Sequence, residues 1–173
     1  MTMSTMTHYM ELLAVNQPWN LLIFMAIPVI CAETLAITEL IILFTRNLNS
    51  IAKKVSKVTG IFAGLYFLGI FIYLLFTAVI PLTLTGGWRG PIDVIAVGFY
   101  LLGVIPFLGM FLLDIGVIGS KRDEVGKLKL HAIFIGIFLV VAHVAMIFGM
   151  LSPDLFTMEG MGGMLYLVVL IIL

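Results

Sequence analysis

Four ionisable side chains, Glu33, Glu39, Asp114 and His143, lie inside long runs of apolar residues, and His131 lies at the edge of one. Such groups are costly at membrane depth; they pair with one another or mark proton and ion paths. Metal binding is a second chemistry open to this chain, since thioethers select Cu(I) and imidazole suits copper, zinc and iron. His143, Met146 and Met150 are spaced three and four residues apart, which stacks them on one helix face. The chain has eleven methionines. Met1, Met3, Met6 and Met10 crowd around His8 in MTMSTMTHYM, and Met158, Met161 and Met164 accompany Glu159. If translation starts at Met6, only Met6, His8 and Met10 remain of the first cluster.

The elements that must position these residues follow from composition. Only 10% of the 173 residues are charged and 62% are hydrophobic, with a mean hydropathy of +1.25. A soluble domain carries about 25% charged residues, so the solvent expected here is a lipid bilayer. The net charge of zero gives no support to nucleic-acid binding. Four runs are long enough to cross, at residues 19–45, 58–84, 92–119 and 130–151. The first holds Glu33 and Glu39, which mark it as a retained helix and not a cleaved leader. Short connections make neighbours antiparallel, giving an all-α, single-domain, four-helix up-down membrane bundle. Residues 164–173 are too short to span and read as a docking tail or a short fifth membrane segment. Residues 7–15 are expected as an interfacial helix with Leu12 and Leu13 towards lipid. Pro28 and Pro106 should kink their spans, and glycines such as Gly60, Gly64 and Gly69 permit close helix approach.

Eight of the nine basic residues fall in 46–57 and 121–129, the exception being Arg89. The positive-inside rule puts those segments in the cytoplasm and the N-terminus outside, in the periplasm of a bacterial cell. Counting at 1.5 Å per residue then places Glu33 at the midplane and Glu39 about 9 Å further in. Asp114 falls near the level of Glu39, His143 near that of Glu33, and His131 below both tiers. Ten of the eleven methionines lie on the outer side of this arrangement, with Met110 the exception.

The leading expectation is a protein that binds a transition-metal ion, copper first and iron second, and transfers or senses it. His8 and the outer methionines would collect the ion, His143, Met146 and Met150 would hold it, and Glu33, Glu39 and Asp114 would lead inward. Its partners would be a periplasmic metal or electron carrier, a second copy, or a larger membrane complex. A first alternative is electron transfer through haem b held by His131 or His143, or through a quinone near Glu33. Against bis-histidine haem, the first three spans contain no histidine. A second alternative is a proton-relay permease using Glu33, Glu39, Asp114, His131 and His143, or an accessory subunit. No phosphate loop, dinucleotide fingerprint or paired-cysteine zinc motif is present.

The stretches NQPWNLLIFMAIPVI, TGGWRGP and HAIFIGIFLVVAHVAMIFGM resemble a small bacterial inner-membrane family of permease-like or uncharacterised proteins, over most of the chain. The resemblance implies an inner-membrane location and brings no mechanism with it.

Overall fold

Ser50 and Asp123 decide where two of the long helices begin. Their side-chain oxygens accept the backbone N–H groups of Lys53, at 3.4 Å, and Gly126, at 3.0 Å. Each thereby satisfies a donor that the first turn of a helix leaves without a partner. The computed structural model describes residues 6–156. It contains a short helix α1 (His8–Ala14) and four long ones: α2 (Trp19–Thr45), α3 (Ile51–Thr85), α4 (Pro91–Asp114) and α5 (Glu124–Met150). A 3-10 turn at Pro153–Phe156 follows. Among the described residues all regular structure is helical, and four helices are long and apolar enough to cross a membrane.

Because of their caps, α3 and α5 start well before the apolar runs at 58 and 130, so Lys53, Lys57 and Lys127 sit on helix and not in loops. Helix α4 stops at Asp114, short of 119, because Gly116 and Gly119 take positive φ angles of 84° and 73°, a backbone state glycine adopts freely. Prolines shape the remaining irregularities. Pro28 and Pro81 are each preceded by a wide π-turn, at Leu22–Ala26 and Leu75–Val79. Pro106 follows a break at Gly103 that divides α4 into two arms. A proline cannot donate to the preceding turn, and the helix widens or bends there.

Helix α3 packs along the second arm of α4, and the first arm of α4 packs along α5; α2 lies against α3 and meets α5 more sparsely. The core is aromatic: Phe67, Phe107 and Phe138 pack on one another in tilted and edge-on pairs with ring centroids 4.1–6.0 Å apart. Outward-facing apolar side chains are large and numerous, with Phe44 at 80% and Leu84 at 81% exposure. A surface of this kind suits lipid, and the chain reads as a multi-pass membrane protein.

The two ends of the bundle differ. One carries the lysines and arginines of 46–57 and 121–129 and is called here the basic end. The far end holds α1, the loop around Trp88 and the 3-10 turn. There α1 turns inward: Thr7 Oγ1 donates to the Gly149 carbonyl at 2.7 Å, and Tyr9 lies where a Cβ on Gly149 would approach its ring to 2.5 Å. Leu13 is consequently buried, not turned to lipid as an interfacial helix would have it. Met1, Met3, Met158, Glu159, Met161, Met164 and the tail 164–173 lie outside the described residues.

Candidate functional site

At the basic end three helices bring one imidazole between two carboxylates. His131 on α5 meets Glu39 Oε1 on α2 through Nδ1, and Asp114 Oδ2 on α4 through Nε2 at 3.3 Å. His131 and Glu39 are buried. A fourth helix makes the room: a Cβ on Gly60 of α3 would fall 2.2 Å from Asp114 Oδ2 and 3.2 Å from His131 Nε2. His131 is therefore inside the carboxylate tier and not below it. The early start of α5 at Glu124 carries the residue nearly two turns into the helix. Asp114 closes α4 at the C-terminal end of the helix dipole, the less favourable end for a carboxylate; its imidazole partner offsets that.

Hydrogen-bond chemistry fixes the proton count of this trio. A carboxylate only accepts unless it is protonated, so each of the two bonds needs one proton between its heavy atoms. Two protons over one imidazole and two carboxylates leave a net charge of −1, wherever each proton resides. Glu39 Oε2 is buried and has no hydrogen-bond partner among the described residues. It is the position at which a third proton would make the trio neutral. A polar cavity of about 270 Å³ connects Glu39, Asp114 and His131 to Lys53, Lys57 and Lys127. Across its rim Glu124 pairs with Lys127 at 2.9 Å and with Lys53 at 3.8 Å.

Midway along the bundle, Glu33, His143 and Met146 line a second cavity of about 290 Å³ in the α2–α5 seam. Its inner wall is aromatic: Phe24, Phe67, Tyr100 and Phe138. His143 Nδ1 lies 2.6 Å from the Leu139 carbonyl. That oxygen can only accept, so Nδ1 carries the proton and the lone pair of the neutral ring is on Nε2. Glu33 and His143 are both exposed on the bundle surface. Glu33 has no hydrogen bond or ion pair among the described residues. Met150 is 73% exposed and lies outside the lining, so the face shared by His143, Met146 and Met150 is only partly turned inward. Both ring nitrogens of His131 are engaged by carboxylates, and in this arrangement it offers none to a haem iron. Among the described residues no three His, Cys, Asp or Glu side chains gather around a point that a metal could occupy. In the trio the reason is geometric, since the carboxylates bond opposite edges of the ring.

A third ionisable group, at the far end, escaped the sequence. Asp93 is fully buried and accepts from the His8 backbone N–H at 2.6 Å, from His8 Nδ1 at 2.5 Å and from the Arg89 N–H at 3.3 Å. Arg89 itself bonds the Met6 carbonyl at 2.5 Å and pairs with Glu11. The available signal was an acid in the first turn of a helix opened by Pro91, where the dipole favours it. His8 is thus held by a carboxylate at the far end, beside Tyr9. Burial pushes the Tyr9 phenol up to about 12.

No curated protein and no solved structure matches the chain. A family model matches residues 3–164, nearly the whole length, and the chain belongs to that family, a family of unknown function (DUF6803).

Proposed function

We propose that the protein is a proton-relay membrane protein of the bacterial inner membrane, in which Glu39, His131 and Asp114 exchange protons with the compartment at the basic end. The observation that carries this is the trio itself: two carboxylates on one imidazole, with Glu39 Oε2 left without a partner among the described residues, beside a polar cavity. A purely structural network would be expected to satisfy each buried oxygen. The excess of lysine and arginine at the basic end favours a cytoplasmic basic end and a periplasmic N-terminus in this reading. Glu33, six residues from Glu39 on α2, is the next acid along the path, about 9 Å away at 1.5 Å per residue.

Proteoliposomes containing a trapped pH dye test this reading under a potassium diffusion potential. Proton uptake is expected above that of protein-free vesicles, and Glu39→Gln is expected to abolish it while preserving side-chain volume. Absence of uptake, or equal uptake in Glu39→Gln, would refute the relay.

A second reading is supported by the shared lining of the midway cavity: His143 Nε2, the Met146 thioether and the Glu33 carboxylate border one space and suit a soft metal ion, copper before iron. Titration of Cu(I) against a chromogenic chelator tests it. The double variant His143→Ala, Met146→Leu should bind at least tenfold more weakly, and unchanged affinity excludes these ligands.

A further inference from the structure

The midway cavity has a composition that neither a proton nor a metal ion explains. A metal would use only the rim, and a proton needs no aromatic walls. Yet Phe24, Phe67, Tyr100 and Phe138 line the same space as Glu33. The Tyr100 hydroxyl already donates to the Phe24 carbonyl at 2.6 Å, so this residue offers the cavity its ring. Phe67 stands between Tyr100, at a centroid distance of 5.4 Å, and Phe138, at 6.0 Å, which fixes the rings against collapse into the space. The break at Gly103 belongs to the same design, because a Cβ there would press on Phe67 at 3.0 Å and Phe138 at 3.2 Å.

The occupant must satisfy three conditions. It must be apolar enough to enter a cavity of about 290 Å³ in the α2–α5 seam. It must offer positive charge, since an unpaired carboxylate at membrane depth is costly until a cation or a proton meets it. It must also favour aromatic faces, which attract cations through the negative face of the ring. The geometry points to a binding site for a lipophilic organic cation, a monocyclic aromatic ammonium in size, with Glu33 as its counter-ion and the four rings as its walls. A neutral quinone would meet the first condition and leave Glu33 unpaired. This site is separate from the trio at the basic end; it shares Glu33 with the proposed path, and its test reads cation binding and not proton uptake.

Equilibrium dialysis of radiolabelled benzyltrimethylammonium against the full chain in lipid nanodiscs tests the assignment. Saturable binding of one cation per chain is expected. Glu33→Gln should weaken it by tenfold or more; the side chain is exposed and makes no hydrogen bond or ion pair among the described residues, so the variant is expected to fold. Phe138→Leu should weaken it by a few-fold, in line with the modest strength of one cation–π contact. The carbon isostere neopentylbenzene, which has the same shape and no charge, should not compete. Binding that is undiminished in Glu33→Gln, competition by neopentylbenzene as strong as by the unlabelled cation, or no saturable binding would each overturn the proposal.

Discussion

His8 and His131 are both held by carboxylates, at opposite ends of the bundle, and the difference between them separates a latch from a relay. Asp93 receives three donors, two of them backbone N–H groups, and is placed near the favourable end of a helix dipole. Every interaction it makes ties α1 and the Arg89 loop to α4. Among the described residues Glu39 and Asp114 receive only the two edges of one imidazole and Glu39 retains an unpartnered oxygen, while Asp114 closes its helix at the unfavourable end. Two of the three donors to the far-end carboxylate are backbone N–H groups, which do not titrate and which tie it to the main chain. The basic-end pair rests on the two edges of one imidazole alone, and it borders a polar cavity. The chemistry of the donors, and not burial alone, distinguishes the two.

The comparison is broken most severely by His131→Ala, which leaves two carboxylates facing an empty space. Removing one partner from a buried charged set costs about 3–5 kcal/mol, so a large fall in Tm in detergent is expected together with loss of proton uptake. Asp93→Ala should cost less, about 1–3 kcal/mol for buried donors left unpaired, and its effect should be local. Hydrogen exchange across His8–Ala14 should accelerate while proton uptake at the basic end persists. If the two variants behaved alike in both measurements, the distinction between latch and relay would fail.

Much of this was legible in the sequence because lipid imposes a local rule. A charged or titratable residue inside an apolar run stands out whatever its neighbours are, which is why Glu33, Glu39, Asp114 and His143 could be singled out. Which of them meet depends on helix rotation, and one residue changes that by 100°. Ala32, Leu35 and Glu39 take the buried face of α2 at spacings of three and four, and Glu33 falls one step off it onto the exposed side. His131 looked marginal because hydropathy began its span at 130, whereas the Asp123 cap begins the helix earlier. Asp93 was hidden by its position at the edge of a run, where an acid reads as ordinary flanking polarity. Its partner His8 comes from a segment 85 residues away, a pairing that no local pattern announces.

A subtler change sharpens the trio without removing any of its members. Gly60→Ala inserts a methyl group where Asp114 Oδ2 now lies. Overpacking of this kind costs about 1–3 kcal/mol, and the carboxylate must withdraw from His131. Proton uptake should fall although Glu39, His131 and Asp114 are all still present. Gly69→Ala is the matched control, since nothing among the described residues lies within 4 Å of a Cβ there; it should leave both Tm and uptake unchanged. Equal uptake in the two variants would mean that the Asp114 contact is dispensable.

The smallest expected effect concerns the latch and appears only in alkali. Burial raises the Tyr9 phenol from 10.0 to about 12, so between those values the unfolded chain has released a proton that the folded chain retains. The unfolded state then binds fewer protons, and stability must fall as pH rises. Below pH 10 the contribution is constant, and above about 12 no further loss arises from this group. Other groups titrate in the same window, so the informative quantity is the difference in Tm between wild type and Tyr9→Phe, followed from pH 9 to pH 12. That difference should shift steadily against wild type above pH 10. A difference independent of pH would show that Tyr9 meets water, and that α1 is not closed over Gly149 as the latch requires.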